Sequence, residues 1–225
     1  MITGRHCPWG LIDLRAPTAV PSLERMAAKT SRKPKTSATV PAYTVPGMTT
    51  EQGGRVAAAL QQRLNALNDL ALTLKHVHWN VVGPHFIAVH TMLDPQVEAV
   101  RGFADEVAER IATLGVAPVG TPGALVEQRS WDDYSVGRAG AIEHLGALDV
   151  VYQGVIAEHR QVAEEVEEAD PVTNDLLITH LGQLELFHWF VRAHLENSGG
   201  ELATQGARTE TEAASRATRG RRRSA

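Results

Sequence analysis

Through the centre of the chain, apolar residues recur at steps of four and three. Leu60, Leu64, Leu67, Ala71 and Leu74 form one such set with His78 at its end, and Leu93, Val97, Val100, Ala104, Val107, Ile111 and Leu114 form another. That step stacks side chains on one face of an α-helix, and no segment shows the alternation of a strand. Thr49 with Gln52 has the spacing of a capping box and predicts a first helix over residues 49–80. VVGP breaks it, and the second set follows until Gly115. After the Gly/Pro-rich GVAPVGTPG and a short turn in SWDDYS, a third helix is predicted over 136–169 along Ile142, Leu145, Leu148, Tyr152, Val155 and Ile156. Asp170-Pro171 is an N-cap and first-turn pair that opens a fourth, running to about Asn197 before Gly199 and Gly200. Helices of this length span roughly 35 to 50 Å. Joined by one short, one long and one near-zero connection, they predict an all-α four-helix bundle over residues 48–200.

What flanks the bundle differs in kind. Residues 1–47 are rich in Ser, Thr, Pro and Lys without periodicity and read as a flexible basic arm. Met26 and Met48 leave open a later start of translation. Residues 201–225 end on RGRRRSA and read as a flexible Arg-rich tail. Residues 1–40 hold seven basic and two acidic groups, 41–200 nine and twenty-one, and 201–225 six and three. An acidic body thus carries two basic extensions, which suggests cations as partners for the one and polyanions for the others. The single cysteine, Cys7, leaves no disulfide framework or multi-thiolate cluster within one chain, so any metal must use nitrogen and oxygen. No run approaches eighteen apolar residues, and Asp13 and Arg15 interrupt any leader-like stretch; a non-secreted protein without a membrane span is expected.

Four of the ten histidines fall in KHVHWNVVGPHFIAVHTMLD, residues 75–94. His78 lies on the apolar stripe, where a buried, hydrogen-bonded histidine competes with a ligand as its meaning. His76 is expected on the solvated face, and His85 sits in the turn. His90 and Asp94 stand four residues apart, side by side on one helix, as do Asp105 and Glu109 further along. The latter pair lies about a third of a turn off the apolar stripe, so in a lone subunit it faces water. Asp94 and Asp105 are separated by about 16 Å along the axis, too far for one site. Two copies related by a two-fold axis remove the difficulty, with His78, His90 and Asp94 of one subunit facing Asp105 and Glu109 of its mate. A rival within-subunit site would use Glu185-x-x-His188, but no second such motif is found in a helix, and this pair is expected at the surface or bundle edge.

The run HWNVVGPHFIAVHTMLD followed by DEVAERIATLG resembles the Dps proteins, DNA-protecting mini-ferritins of bacteria, and the likeness extends through WDDYS and WFVRAHLE over about residues 44–200. Actinobacterial members with basic tails are the nearest in kind. The resemblance implies a ferritin-like bundle with a long connection between its second and third helices, assembled from two-fold dimers into a hollow homo-dodecamer. It implies a ferroxidase with two irons at each intersubunit site, bound by His78, His90, Asp94, Asp105 and Glu109. Such an enzyme oxidises Fe(II) with hydrogen peroxide and stores the ferric mineral. In such a shell Glu164, Glu165, Glu167, Glu168 and Asp170 approach a three-fold pore. Trp79, next to His78, reads first as interface packing and second as a shield or quencher of stray oxidants. This chain departs from the family in its longer amino-terminal extension.

The basic extensions fit non-specific contact with double-stranded DNA, since no base-reading module is present. The residues expected to make it are Lys29, Arg32, Lys33 and Lys35 in the arm and Arg208, Arg216, Arg219, Arg221, Arg222 and Arg223 in the tail. A cytoplasmic, nucleoid-associated protein is expected. The alternative is a non-catalytic shell that compacts DNA.

Overall fold

The computed structural model describes residues 40–224, the last five by backbone alone. The amino-terminal arm up to residue 39, with Lys29, Arg32, Lys33 and Lys35, lies outside the described residues. Among the described residues there are six helices: α1 (Thr50–Asn80), α2 (Phe86–Thr113), α3 (Pro122–Gln128), α4 (Ala141–Val166), α5 (Pro171–Ala193) and α6 (Glu210–Ser224). Helices α1 and α2 form one antiparallel hairpin and α4 and α5 another, and α1 packs beside α4 to close the four-helix bundle.

The capping box is present: Gln52 N donates to Thr49 Oγ1 at 3.2 Å, and Thr49 N donates to Gln52 Oε1 at 2.9 Å. Both predicted apolar sets are buried, with Leu60, Leu67, Leu74, Leu93, Val100, Val107 and Ile111 wholly inaccessible. Gly115 ends α2 as expected; its φ of +86° and the Tyr43 carbonyl 2.1 Å from where a Cβ would sit both demand glycine.

Several elements differ from the reading of the sequence. The third long helix starts at Ala141, because residues 136–140 are pinned to the first hairpin by a two-residue parallel ladder, β1 (Val81–Val82) with β2 (Ala139–Gly140). Pairs this short carry no alternation to detect. The regular turn in the long connection is α3, started by Thr121-Pro122, while SWDDYS is irregular and tied down by side chains: Trp131 Nε1 donates to Asp69 Oδ2 at 2.8 Å and Arg129 bridges Asp69 and Asp133. Helix α5 stops at Ala193.

The largest correction concerns the carboxyl-terminal tail. From Glu210 onward it is a helix lying along α4. Ala213, Ala214 and Ala217 form its buried stripe, and α4 receives them at Gly146, where a Cβ would stand 2.8 Å from the Ala213 carbonyl oxygen and 2.9 Å from the Ala217 Cβ. Two polar clasps hold the segment. Ser135 N and Oγ donate to the Glu210 carboxylate at 2.6 and 2.8 Å, and Thr204 Oγ1 donates to buried Asp149 at 2.6 Å. Asp149 also accepts from His188 Nε2 and Arg192 Nε, which hold its carboxyl far below the usual range against the opposing effect of burial.

Candidate metal centre

His78 enters from the last turn of α1 and His90 from the second turn of α2, and the tight VVGP turn between these helices brings them face to face. Their rings stack at 3.6 Å between centroids, 24° from parallel. His78 Nδ1 lies 3.0 Å from the His90 carbonyl oxygen, and His90 Nδ1 lies 2.9 Å from that of His78. A carbonyl oxygen only accepts, so each Nδ1 carries a proton, which leaves Nε2 as the nitrogen through which either ring can ligate. This is the tautomer in which imidazole ligates a metal, fixed by backbone as outer-shell partners fix it in metal sites. His78 is thus a buried, satisfied histidine and a candidate ligand at once.

Asp94, one turn beyond His90, places Oδ1 3.3 Å from His78 Nδ1 and 2.7 Å from Lys75 Nζ. The Lys75 hydrogen bond is the chief cause that holds its carboxyl below the ordinary value. A cation arriving at Asp94 therefore competes with an ammonium already there.

Asp105 and Glu109 lie where the spacing predicts, on the exposed side of α2. About 16 Å of helix axis separates Asp94 from Asp105. Among the described residues no group of three or more His, Cys, Asp or Glu is placed to hold one ion. One chain thus brings together the two histidines and Asp94 and leaves the other acidic pair apart. Large apolar side chains lie open beside the histidines: Trp79 is 72% exposed and Ile87 62%.

Other candidates move. His188 is not at the surface; it is 7% exposed, bound to Asp149 and stacked on Tyr152, while Glu185 pairs with Arg160 instead. The rival within-subunit pair is therefore not assembled. Asp170 is also buried. Its carboxylate accepts two hydrogen bonds from Arg110 Nη2, at 2.6 and 2.8 Å, and one from Thr173; these hold its carboxyl low against the effect of burial. It departs from the acidic run expected at a pore, of which Glu164, Glu165, Glu167 and Glu168 remain exposed. His76, expected in solvent, is half-buried, with its Nε2 donating to the Val136 carbonyl at 3.1 Å.

The tail arginines are partly committed within the fold. Arg216 binds Glu212 and the Gln205 carbonyl, Arg219 Nη2 donates to Ser215 Oγ at 2.6 Å, and Arg208 lies exposed beside α6. Arg221, Arg222 and Arg223 belong to the last turn of α6.

A polar group that sequence reasoning missed lies inside the bundle. Arg63, His159 and His180 are buried there, with His180 Nε2 against Glu106 at 2.9 Å. Arg63 gives one guanidinium nitrogen to Glu158 at 2.5 Å, and both ring nitrogens of His159 have no partner among the described residues. The signal available was weak, since each of these residues looks like a helix-surface residue until the four helices are assembled.

Comparison with known proteins agrees with the helical fold. The ferritin-like domain matches residues 57–198. The DNA protection during starvation protein of Mycolicibacterium smegmatis is 59% identical over 177 residues, covering 79% of this chain and 97% of that one. Among solved structures, DpsA14 from Streptomyces coelicolor superposes with a TM-score of 0.73 at 64% identity, over 74% of this chain and 99% of that one. A tetragonal form of Mycobacterium smegmatis Dps gives 0.72 at 60% identity, over 73% and 99%.

Proposed function

The chain belongs to the ferritin-like Dps family, and from that premise we propose that it oxidises Fe(II) at sites shared between two subunits and keeps the ferric product inside a dodecameric shell. The observation that carries this reading is the His78–His90 pair, two stacked imidazoles whose Nδ1 atoms are held by backbone carbonyls, incomplete as a site and set beside an uncovered apolar surface. A partner related by a two-fold axis covers Trp79 and Ile87 and supplies Asp105 and Glu109.

The donor set suits the reaction. Imidazole and carboxylate accept borderline Fe(II), and carboxylates hold harder Fe(III) more firmly, which favours oxidation in place. Two ferrous ions give one electron each to hydrogen peroxide, which is cleaved to water without release of hydroxyl radical. Exposed Glu164, Glu165, Glu167 and Glu168 form an acidic helix end suited to drawing cations inward. DNA is held non-specifically by the arm lysines and arginines and by Arg208, Arg219, Arg221, Arg222 and Arg223, with Arg216 contributing less because Glu212 already holds it. Twelve copies make weak phosphate contacts strong by avidity, and the contact falls steeply with salt. Such a protein works in the cytoplasm, on the nucleoid.

The test is anaerobic titration of the assembled particle with ferrous iron, then peroxide, following ferric absorbance and particle mass. Replacing His78 and His90 with alanine abolishes fast oxidation while the shell stays whole; oxidation at the parental rate refutes the site. If the parent protein itself oxidises no iron yet retards DNA, the alternative of a non-catalytic DNA-compacting shell replaces this reading. DNA contact is best removed by charge, with Arg219, Arg221, Arg222 and Arg223 changed to glutamine, because deleting the segment would also uncover the α4 surface at Gly146.

A further inference from the structure

Two iron electrons per peroxide suffice only when both metal positions are filled. With one ferrous ion present, the second electron must come from the protein or be taken from whatever the oxidant strikes. A donor needs a side chain that can be oxidised, a base to receive the proton that leaves with the electron, and a place near the iron where its ring is mostly covered.

The chain has three tyrosines. Tyr43 is 67% exposed. Tyr152 is wholly buried, but its hydroxyl donates to the Gln96 side-chain amide at 2.7 Å, and an amide oxygen does not take up a proton. Tyr134 alone has a base: its hydroxyl lies 3.1 Å from Nδ1 of His144, with the two rings 13° from parallel and 6.1 Å apart. The pair belongs to no part of the proposed iron site.

Its position fits the role. Tyr134 packs edge-on against His76, with ring centroids 5.7 Å apart. His76 and His78 are two residues apart on α1 and so project from nearly opposite sides of the same turn. Tyr134 and the iron ligand thus lie on opposite sides of one helix of about 10–12 Å diameter with its side chains, Tyr134 one ring contact further out against His76. The bond of His76 Nε2 to the Val136 carbonyl fixes the 131–136 segment to that turn.

The geometry points to Tyr134 and His144 as a redox pair that supplies the second electron when a site holds a single iron. This inference rests on the ferroxidase reading. One ferrous ion, one hydrogen peroxide and two protons from solvent, together with Tyr134 hydrogen-bonded to His144, give one ferric ion, two waters, a Tyr134 phenoxyl radical and a protonated His144. The O–O bond breaks, iron and phenol each lose one electron, and the phenol proton passes along the existing hydrogen bond to Nδ1. Burial holds the His144 imidazole low, only partly offset by the Asn80 backbone, so the ring is neutral and open to that proton. Burial likewise pushes the Tyr134 phenol far up, so it keeps its proton until oxidised.

The experiment freezes the assembled protein after peroxide addition at increasing iron loading and reads organic radicals by electron paramagnetic resonance, with ferric absorbance followed in parallel. A tyrosyl signal is expected to peak near one iron per site and to decline as loading approaches two, because a second iron then gives the electron. Tyr134→Phe loses the signal and Tyr43→Phe keeps it, with particle mass and melting reporting on the fold of each. His144→Asn removes the proton acceptor, keeps a polar side chain, and slows radical formation by on the order of a hundredfold. A radical that persists in Tyr134→Phe, or ferric iron formed at low loading without any tyrosyl signal, overturns the inference and leaves the ferroxidase reading standing. If no ferric iron forms at any loading, the ferroxidase reading fails and this inference with it.

Discussion

If each iron site joins the histidines of one subunit to the carboxylates of its mate, two inactive variants must rescue one another. One variant carries His78→Ala and His90→Ala, the other Asp105→Asn and Glu109→Gln; each alone has no complete site. In a mixed dimer, one site receives the altered histidines and the altered carboxylates together, whereas the other receives the intact histidines of one chain and the intact carboxylates of its partner. Half of the sites in every mixed dimer are therefore restored. Equal mixing by unfolding and refolding together makes half of the dimers mixed, so the preparation recovers about a quarter of parental activity per site. The arithmetic depends only on the separation of the two clusters along α2, about 16 Å, which forbids a site within one chain. Initial rates of peroxide-driven ferric absorbance give the readout, with each variant refolded alone as the control. Recovery near zero refutes the shared-site geometry, and substantial activity in either variant alone refutes its ligand assignment.

Three further outcomes follow from the packing. Gly146→Ala favours α4 by up to about 1 kcal/mol in helix propensity, but its Cβ strikes the Ala213 backbone and overpacking of this kind costs about 1–3 kcal/mol. α6 should loosen, read as faster hydrogen exchange over residues 210–224 with the bundle core unchanged; undiminished protection would show that the helix does not dock as described. Arg110→Leu strands the buried Asp170 carboxylate and should destabilise the subunit by about 3–5 kcal/mol, measured by denaturant unfolding, whereas an effect under about 1 kcal/mol would mean that the pair is solvated. The third concerns His159, which burial, Arg63 and His180 together push down to about 3 from 6.5. The folded state keeps it neutral where the unfolded chain takes a proton, so its contribution is present above pH 6.5 and lost as pH falls toward 3. His159→Phe should flatten stability against pH in that window, and an unchanged slope would place the acid sensitivity elsewhere.

How much of this was legible depended on whether a residue's meaning was local. The capping box at Thr49, the helix stop at Gly115 and the stripes through Leu67 and Val100 were readable because each follows from a few neighbours along the chain. That His78, His90 and Asp94 meet was readable for the same reason, as one hairpin brings them together. His188 and Asp170 were misplaced because their partners, Asp149 and Arg110, come from other helices; a polar residue reads as surface until the group that satisfies it is in place.

The carboxyl-terminal segment shows the limit most clearly. Low apolar content argued against order, on the assumption that burial needs large side chains. Alanine methyls at Ala213, Ala214 and Ala217 suffice here because Gly146 lets two backbones approach closely, and such contact compensates in dispersion for what the stripe lacks in area. A polar helix of fifteen residues is marginal by itself. Its order therefore depends on α4 and on the Ser135–Glu210 clasp, which lies one residue from Tyr134. The same docking that positions the arginines proposed to contact DNA thus also steadies the loop that carries the proposed electron donor. Loosening α6 through Gly146→Ala should accordingly disturb two properties at once, DNA retention and the yield of the tyrosyl signal, while a change confined to DNA retention would show that the loop is held well enough by its bonds to Asp69 and His76.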